Sequence, residues 1–282
     1  MSCFTHEKVT DRITRIRDAS GVCMYLVEGS ERALLLDTGV GVGSLRAAVS
    51  ALTDKPVTVV LTHGHVDHAC GAGEFDTVYL SAADLPLYAG HSLLPVRQGY
   101  VSGAGKMGGD PAVLAAVKPA DYLPARAAED FLPLEGGTTF ELGGLTAEVI
   151  ALPGHTPGSV VVLLREERML LLGDACNGFT FLFEPDCPTV EQYRQGLLQL
   201  KAETDGKYDR TLYSHGTGEG CVDMVDRVIA VCDDILAGNA DDMHFRGFDG
   251  TPACIAKTMD FSRFCRADGG EGNVVYDPQK VR

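Results

Sequence analysis

The chain has no tryptophan, no cysteine pair at CxxC spacing, no apolar run of membrane-spanning length and a shortage of positive charge. Lys and Arg total 24 against 39 Asp and Glu, so the formal net charge is −15. A surface that acidic repels polyanions over a Debye length, which argues against nucleic acid and anionic membranes as partners. The nine cysteines are scattered and odd in number, which excludes a disulfide framework and predicts reduced thiols. The opening MSCFTHEKVTDR lacks the apolar core of a signal peptide; with the thiols, this predicts a cytoplasmic protein. No membrane-spanning helix is expected. What is present is ordinary: 45% hydrophobic and 22% charged residues, enough to build a sizeable core from 282 residues and to exclude disorder.

The informative stretch is Leu61 to Cys70, LTHGHVDHAC, with His63, His65, Asp67 and His68 inside six residues. The apolar, β-branched run Val57 to Leu61 leads into it, so the polar residues begin where a buried strand stops. Imidazole and carboxylate suit zinc and related first-row divalent ions, and Gly64 lets the turn aim two imidazoles at one point. Chance clustering on a solvated loop is the lesser reading.

Around this stretch the sequence reads as a layered α/β chain. Strands are predicted at 22–27, 33–36, 57–61 and 77–80, with a helix over 44–52 and a short helical turn at 84–88. Asp37 closes the second strand; a turn-forming role is favoured, with support of a neighbouring ligand as the other option. Hairpins are predicted around Gly143-Gly144 and around 165–168, and amphipathic helices over 189–202 and 222–236, the latter stopped near Gly238. Residues 239–282 read as an irregular tail with an edge strand at 273–276. Residues 81–137 stand apart. Six glycines between Gly90 and Gly109 predict a long flexible connection acting as a lid, with Arg97, Tyr100 and Lys106 as candidate substrate contacts.

Further ligand-type residues recur at strand ends. His155 lies in PGHTPGS just after a strand, as His63 does, which makes it a ligand rather than a turn residue. Asp174 ends LLLGDA and His215 follows a last core strand in YSHGTG. LLLDTG and LLLGDA are alike enough to hint at two related halves. His6, His91 and His244 lack such a setting and read as surface or packing residues.

THGHVDH, GHTPGS, LLGDA and YSHG, in that order, make the sequence resemble the metallo-β-lactamase superfamily. The resemblance implies an α/β fold, a four-layer αββα sandwich, with metals at the sheet ends. It implies that His63, His65 and His155 bind one ion and that Asp67, His68 and His215 bind a second. Asp174 would bridge the two, leaving Asp67 and Asp174 as the carboxylates closest to the chemistry. The expected organisation is a catalytic domain over 1–238, with the lid inserted at 81–137 and the 239–282 tail packed on the same domain. Two divalent ions, zinc first and iron or manganese as alternatives, could hold a hydroxide between them and polarise a carbonyl. The retained Asp174 argues against a true β-lactamase, and His65 against a flavodiiron protein; the full ligand set resembles glyoxalase II and lactonases. The expected function is hydrolysis of a small ester, thioester or lactone. A mononuclear iron enzyme resembling persulfide dioxygenases, using His63, His155 and Asp174, and a non-catalytic metal-binding module are the competing readings.

Overall fold

Strands rich in Val, Ile and Leu carry the first part of the chain. The computed structural model describes residues 3–106, 108–247 and 250–282. They fall into two units, Met1–Val149 with Ser214–Gly218, and Ile150–Tyr213 with Glu219–Arg282.

In the first unit, seven described strands form one sheet in chain order. They are β1 (Phe4–Lys8), β2 (Ile13–Asp18), β3 (Cys23–Glu28), β4 (Ala33–Leu36), β5 (Val57–Val60), β6 (Val78–Leu80) and β7 (Leu132–Pro133). The first four are an antiparallel meander, and β4 to β7 run parallel. Parallel strands need a crossover. Helix α1 (Leu45–Ser50) supplies one between β4 and β5, started by Ser44, whose side chain accepts the Ala47 N–H. Strand β4, ALLL, is buried throughout, as expected of a strand covered on both faces. Leu45 and Val49 of α1 share a core with Leu35, Val59 and Leu61. The β8–β9 hairpin (Thr139–Glu141, Thr146–Ala151) pairs antiparallel as expected.

Strands β1 and β2 were not anticipated. ITRIRD reads as polar, yet β2 is almost wholly buried, because its arginines serve a distant loop described below. The glycine-rich stretch is a correction of a different kind. Expected as a flexible loop, it forms helix α4 (Leu94–Ala104), following α2 (Val66–Ala69) and α3 (Leu85–His91) and preceding α5 (Pro111–Ala116). Val101 and Ala104 are buried on α4, and that burial outweighs the poor helix propensity of Gly99 and Gly103.

In the second unit, β10 (Val160–Leu164) and β11 (Met169–Leu171) form the expected hairpin. After β12 (Thr180–Leu182), β11 is joined by parallel β13 (Arg210–Leu212), and β13 by antiparallel β14 (Glu219–Gly220). Helix α6 (Val190–Thr204) starts at a Thr189–Gln192 capping box, and α7 (Met224–Ala237) ends at Gly238 in the left-handed conformation. Their apolar faces bury Tyr193, Leu197, Val228 and Cys232 against Val161, Leu163 and Leu170 of the hairpin.

The tail is also not irregular. β15 (Met243–Arg246), β16 (Pro252–Ile255) and β19 (Val274–Tyr276) join β12 in a sheet ordered β12-β19-β16-β15, and β17 (Met259–Asp260) pairs with β18 (Cys265–Arg266). β19, expected at an edge, is interior, parallel to β12 and antiparallel to β16. No helix among the described residues is long and apolar enough to cross a membrane.

Candidate metal centre

Strand β5 delivers the first donors. Past Val60 the chain turns through Thr62 and His63; His65 then stands at the N-cap of α2, and Asp67 and His68 lie on it. Gly64 is needed because its backbone runs against Asp84: an added Cβ would lie 2.9 Å from the Asp84 carbonyl oxygen, and Gly64 N–H donates to Asp84 Oδ2 at 2.8 Å. The rings of His63 and His65 meet edge-on at 4.8 Å, and His63 and His68 lie 4.0 Å apart.

Asp37 organises this cluster. His68 Nδ1–H donates to Asp37 Oδ2 at 2.9 Å. The same carboxylate accepts from Thr62 N–H at 2.7 Å and from the Thr62 hydroxyl at 2.9 and 3.0 Å. A hydroxyl has one proton, and an ionised carboxylate only accepts. Thr62 Oγ1 therefore receives the Nδ1–H of His63, 3.0 Å away. Both histidines are left with Nε2 bare, the form in which imidazole binds a metal. The turn residue thus supports one candidate ligand directly and another through a hydroxyl.

His215 reaches the same unit through a clamped loop. Arg17 donates to the carbonyls of Gly216 at 2.8 Å and Thr217 at 3.4 Å, and Tyr25 Oη–H donates to Gly218 O at 2.7 Å. Cys23 N–H donates to Ser214 O at 2.8 Å. At Gly218, φ +77° strains any L-residue, and a Cβ would lie 2.6 Å from Arg15 Nε and so displace that arginine. The buried polar face of β2 and β3 is explained by these bonds. His215 Nε2 and His68 Nε2 each lie 3.5 Å from Asp67 Oδ2, and the three donor atoms fall within 4.8 Å of one another. Two ligands about 2.1 Å from a tetrahedral ion sit about 3.4 Å apart, so the spacing fits a divalent cation. The donor set, two imidazoles and a carboxylate, is also the kind zinc accepts.

The second unit holds the other expected donors. His155 Nδ1–H donates to Phe181 O at 3.0 Å, which again leaves Nε2 bare, 3.9 Å from Asp174 Oδ2. Asn177 Nδ2 approaches Asp174 Oδ1 at 3.5 Å.

The expected substrate contacts part company. Tyr100, on α4, donates its hydroxyl to Asp67 Oδ2 at 2.7 Å and so belongs to the cluster. Arg97 does not act as an exposed contact. It is 2% exposed, and its guanidinium donates to the carbonyls of Val40, Leu123 and Gly41 at 3.1, 2.6 and 2.6 Å. It pins α4 to the backbone beneath it. Lys106 is exposed beyond the end of α4. His91, read from the sequence as a surface or packing residue, lies at the cluster: its ring stacks on His65 at 4.9 Å, and its Nδ1 accepts the Val66 N–H at 3.2 Å. No local sequence signal marks that role, since it depends on α3 folding back over α2.

The chain is similar to the acyl-coenzyme A thioesterase MBLAC2 of Bos taurus, 28% identical over 192 residues, covering 61% of this chain and 66% of that protein. This chain therefore spans a little under two thirds of that relative's length. It is also similar to the beta-lactamase-like protein 2 homolog of Caenorhabditis elegans, 24% identical over 253 residues, covering 84% of this chain and 71% of that one. Among solved structures, a metallo-beta-lactamase from Pontibacter korlensis superposes with a TM-score of 0.57 at 18% identity, over 80% of this chain and 97% of that one, a likeness of fold. Residues 17–215 match the metallo-beta-lactamase superfamily, and with the strand-end histidines and aspartates in place, the chain belongs to that superfamily and has its fold.

Proposed function

We propose that this chain is a metal-dependent hydrolase of acyl thioesters, with a small ester or lactone as the neighbouring substrate classes. The observation that carries the reading is Asp67 Oδ2 lying 3.5 Å from both His68 Nε2 and His215 Nε2, in a unit where Asp37 fixes the metal-binding tautomer of His68. The similarity to an acyl-coenzyme A thioesterase supports the thioester as substrate.

In this reading His63, His65 and His155 would hold one divalent ion and Asp67, His68 and His215 a second, zinc first, with Asp174 available to both. Such ions would supply Lewis acidity, bringing the pKa of water toward neutrality and polarising an acyl carbonyl. The chain's own residues do the rest. Asp37 and Phe181 O keep imidazole protons on Nδ1, away from the ions. Tyr100 holds Asp67 from the α4 side, and Arg97 keeps that helix in place as a fixed wall. Asp67 and Asp174 are the groups able to carry a proton away from the reacting water.

The test is a hydrolysis panel of thioesters, esters and lactones on protein of measured metal content. Two ions per chain, thioester turnover, and loss of both with chelator are expected. A single iron with oxygen consumption and no hydrolysis would replace this reading with a dioxygenase.

A further inference from the structure

Phe179, Phe181, Phe183, Phe245, Phe261 and Phe264 form a ladder of rings in the second unit. Phe181 lies 5.4 Å from Phe183 and from Phe179, and 6.0 Å from Phe245. Phe264 lies 5.9 Å from Phe179, and Phe261 lies 6.4 Å from Phe264. The inner rings pack on one face of the β12-β19-β16-β15 sheet with Ile255, Met259 and Val275. The outer two do not bury: Phe261 is 48% and Phe264 68% exposed.

Two features separate this ladder from ordinary surface apolar residues. Phe264 has φ +51°, a left-handed conformation that a bulky L-residue rarely adopts. A turn with no other task would take glycine or asparagine there. The chain instead holds an aromatic ring in water on strained backbone, a combination found where a ligand is gripped. In addition, the ladder is tied to both second-unit donors. Phe181 supplies the carbonyl that accepts from His155 Nδ1–H. Asn177, beside Asp174, accepts the Phe179 N–H on its Oδ1 at 2.8 Å.

We infer that this ladder takes the acyl chain of the thioester, its carbonyl end at His155 and Asp174 and its tail lying outward over Phe179, Phe264 and Phe261. The inference rests on the hydrolase reading and narrows it to acyl groups long enough to reach the outer rings. An anionic bilayer is a poorer occupant, because the chain carries a net charge of −15.

The experiment uses the full chain and its Phe261→Ala/Phe264→Ala variant. Uncharged N-acetylcysteamine thioesters with acyl chains from two to twelve carbons give kcat/KM as a function of length. S-Dodecyl-N-acetylcysteamine, a thioether that cannot be hydrolysed, gives binding by calorimetry. For the unsubstituted protein, kcat/KM should rise by up to about fourfold per methylene seated on the rings. The variant should flatten that rise, leave the acetyl thioester unchanged and bind the thioether at least about tenfold more weakly. Phe264→Leu should retain most of the selectivity. An identical length profile in both proteins overturns the inference. So does a changed oligomeric state on size exclusion with unchanged thioether binding, which would give the patch to a second copy. If no thioester is turned over yet the variant still loses thioether binding, the hydrolase reading fails and the acyl-chain surface stands.

Discussion

Oδ2 of Asp37 accepts the Nδ1–H of His68 at 2.9 Å, and Asp37 holds this contact at a φ of +64°, unusual for a residue with a side chain. Partners behind a metal ligand set its tautomer and basicity, and losing one weakens metal binding about 10- to 100-fold. Asp37→Ala should lose zinc affinity by that factor, measured by competition with a chromophoric chelator, with the fold retained by circular dichroism. Unchanged affinity would reduce Asp37 to a turn residue.

Tyr100→Phe removes one hydroxyl from Asp67 Oδ2 and nothing from the core. A hydrogen bond to a charged acceptor contributes about 1.5–3 kcal/mol, so a drop of roughly 10- to 150-fold in kcat/KM or in affinity for the weaker ion is expected. Steady-state kinetics at saturating metal separates the two. If neither changes, Tyr100 is only near the site.

Arg97 carries a different expectation. Gly41 O keeps the Leu123 N–H at 2.9 Å, but the carbonyls of Val40 and Leu123 lose their donor if the guanidinium goes, and each orphaned acceptor costs about 1–3 kcal/mol. Arg97→Ala should lower unfolding free energy by at least about 2 kcal/mol in urea titration. Arg97→Lys should recover little, since an ammonium cannot reproduce the planar fork. A stable variant with altered substrate preference would restore the role of exposed contact.

Alkaline pH should destabilise the fold. Burial pushes the thiols of Cys187 and Cys232 up to about 12, whereas an unfolded cysteine ionises near about 8.5. With the folded value raised, the contribution is fully present below about pH 8.5 and is lost progressively as pH rises toward about 12. Tm measured from pH 7 to 10.5 should therefore be flat and then fall above about pH 9, and both thiols should resist disulfide-exchange reagents until unfolding. Rapid native labelling of either would contradict this.

The strand ends were legible because their chemistry is local: His63, His65, Asp67 and His68 declare themselves within one turn of chain. Asp37 was only half legible, since its partner lies 31 residues away and a carboxylate beside glycine looks like any turn. α4 was hidden by its glycines, whose cost is outweighed by burial that the sequence does not display. β2 was hidden by arginines that read as solvent-facing until their carbonyl partners are known. His91 illustrates the remaining gap, because a stacking contact made by helix return leaves no periodic trace.

The clamp on the 214–218 loop bears on the order of events during synthesis. Tyr25 bonds Gly218 across 193 residues of sequence, and Arg15 does so across 203. Loop closure over such a distance is slow compared with local hairpins. A ribosome that has extruded β1 to β7 has exposed Arg15, Arg17 and Tyr25 with no carbonyls to receive them, and it must translate the second unit through β13 before His215 can arrive. If the Asp67 side holds a metal as proposed, competence to bind it would be the last property the first unit acquires, and metal uptake there would report that the chain has been made at least as far as His215.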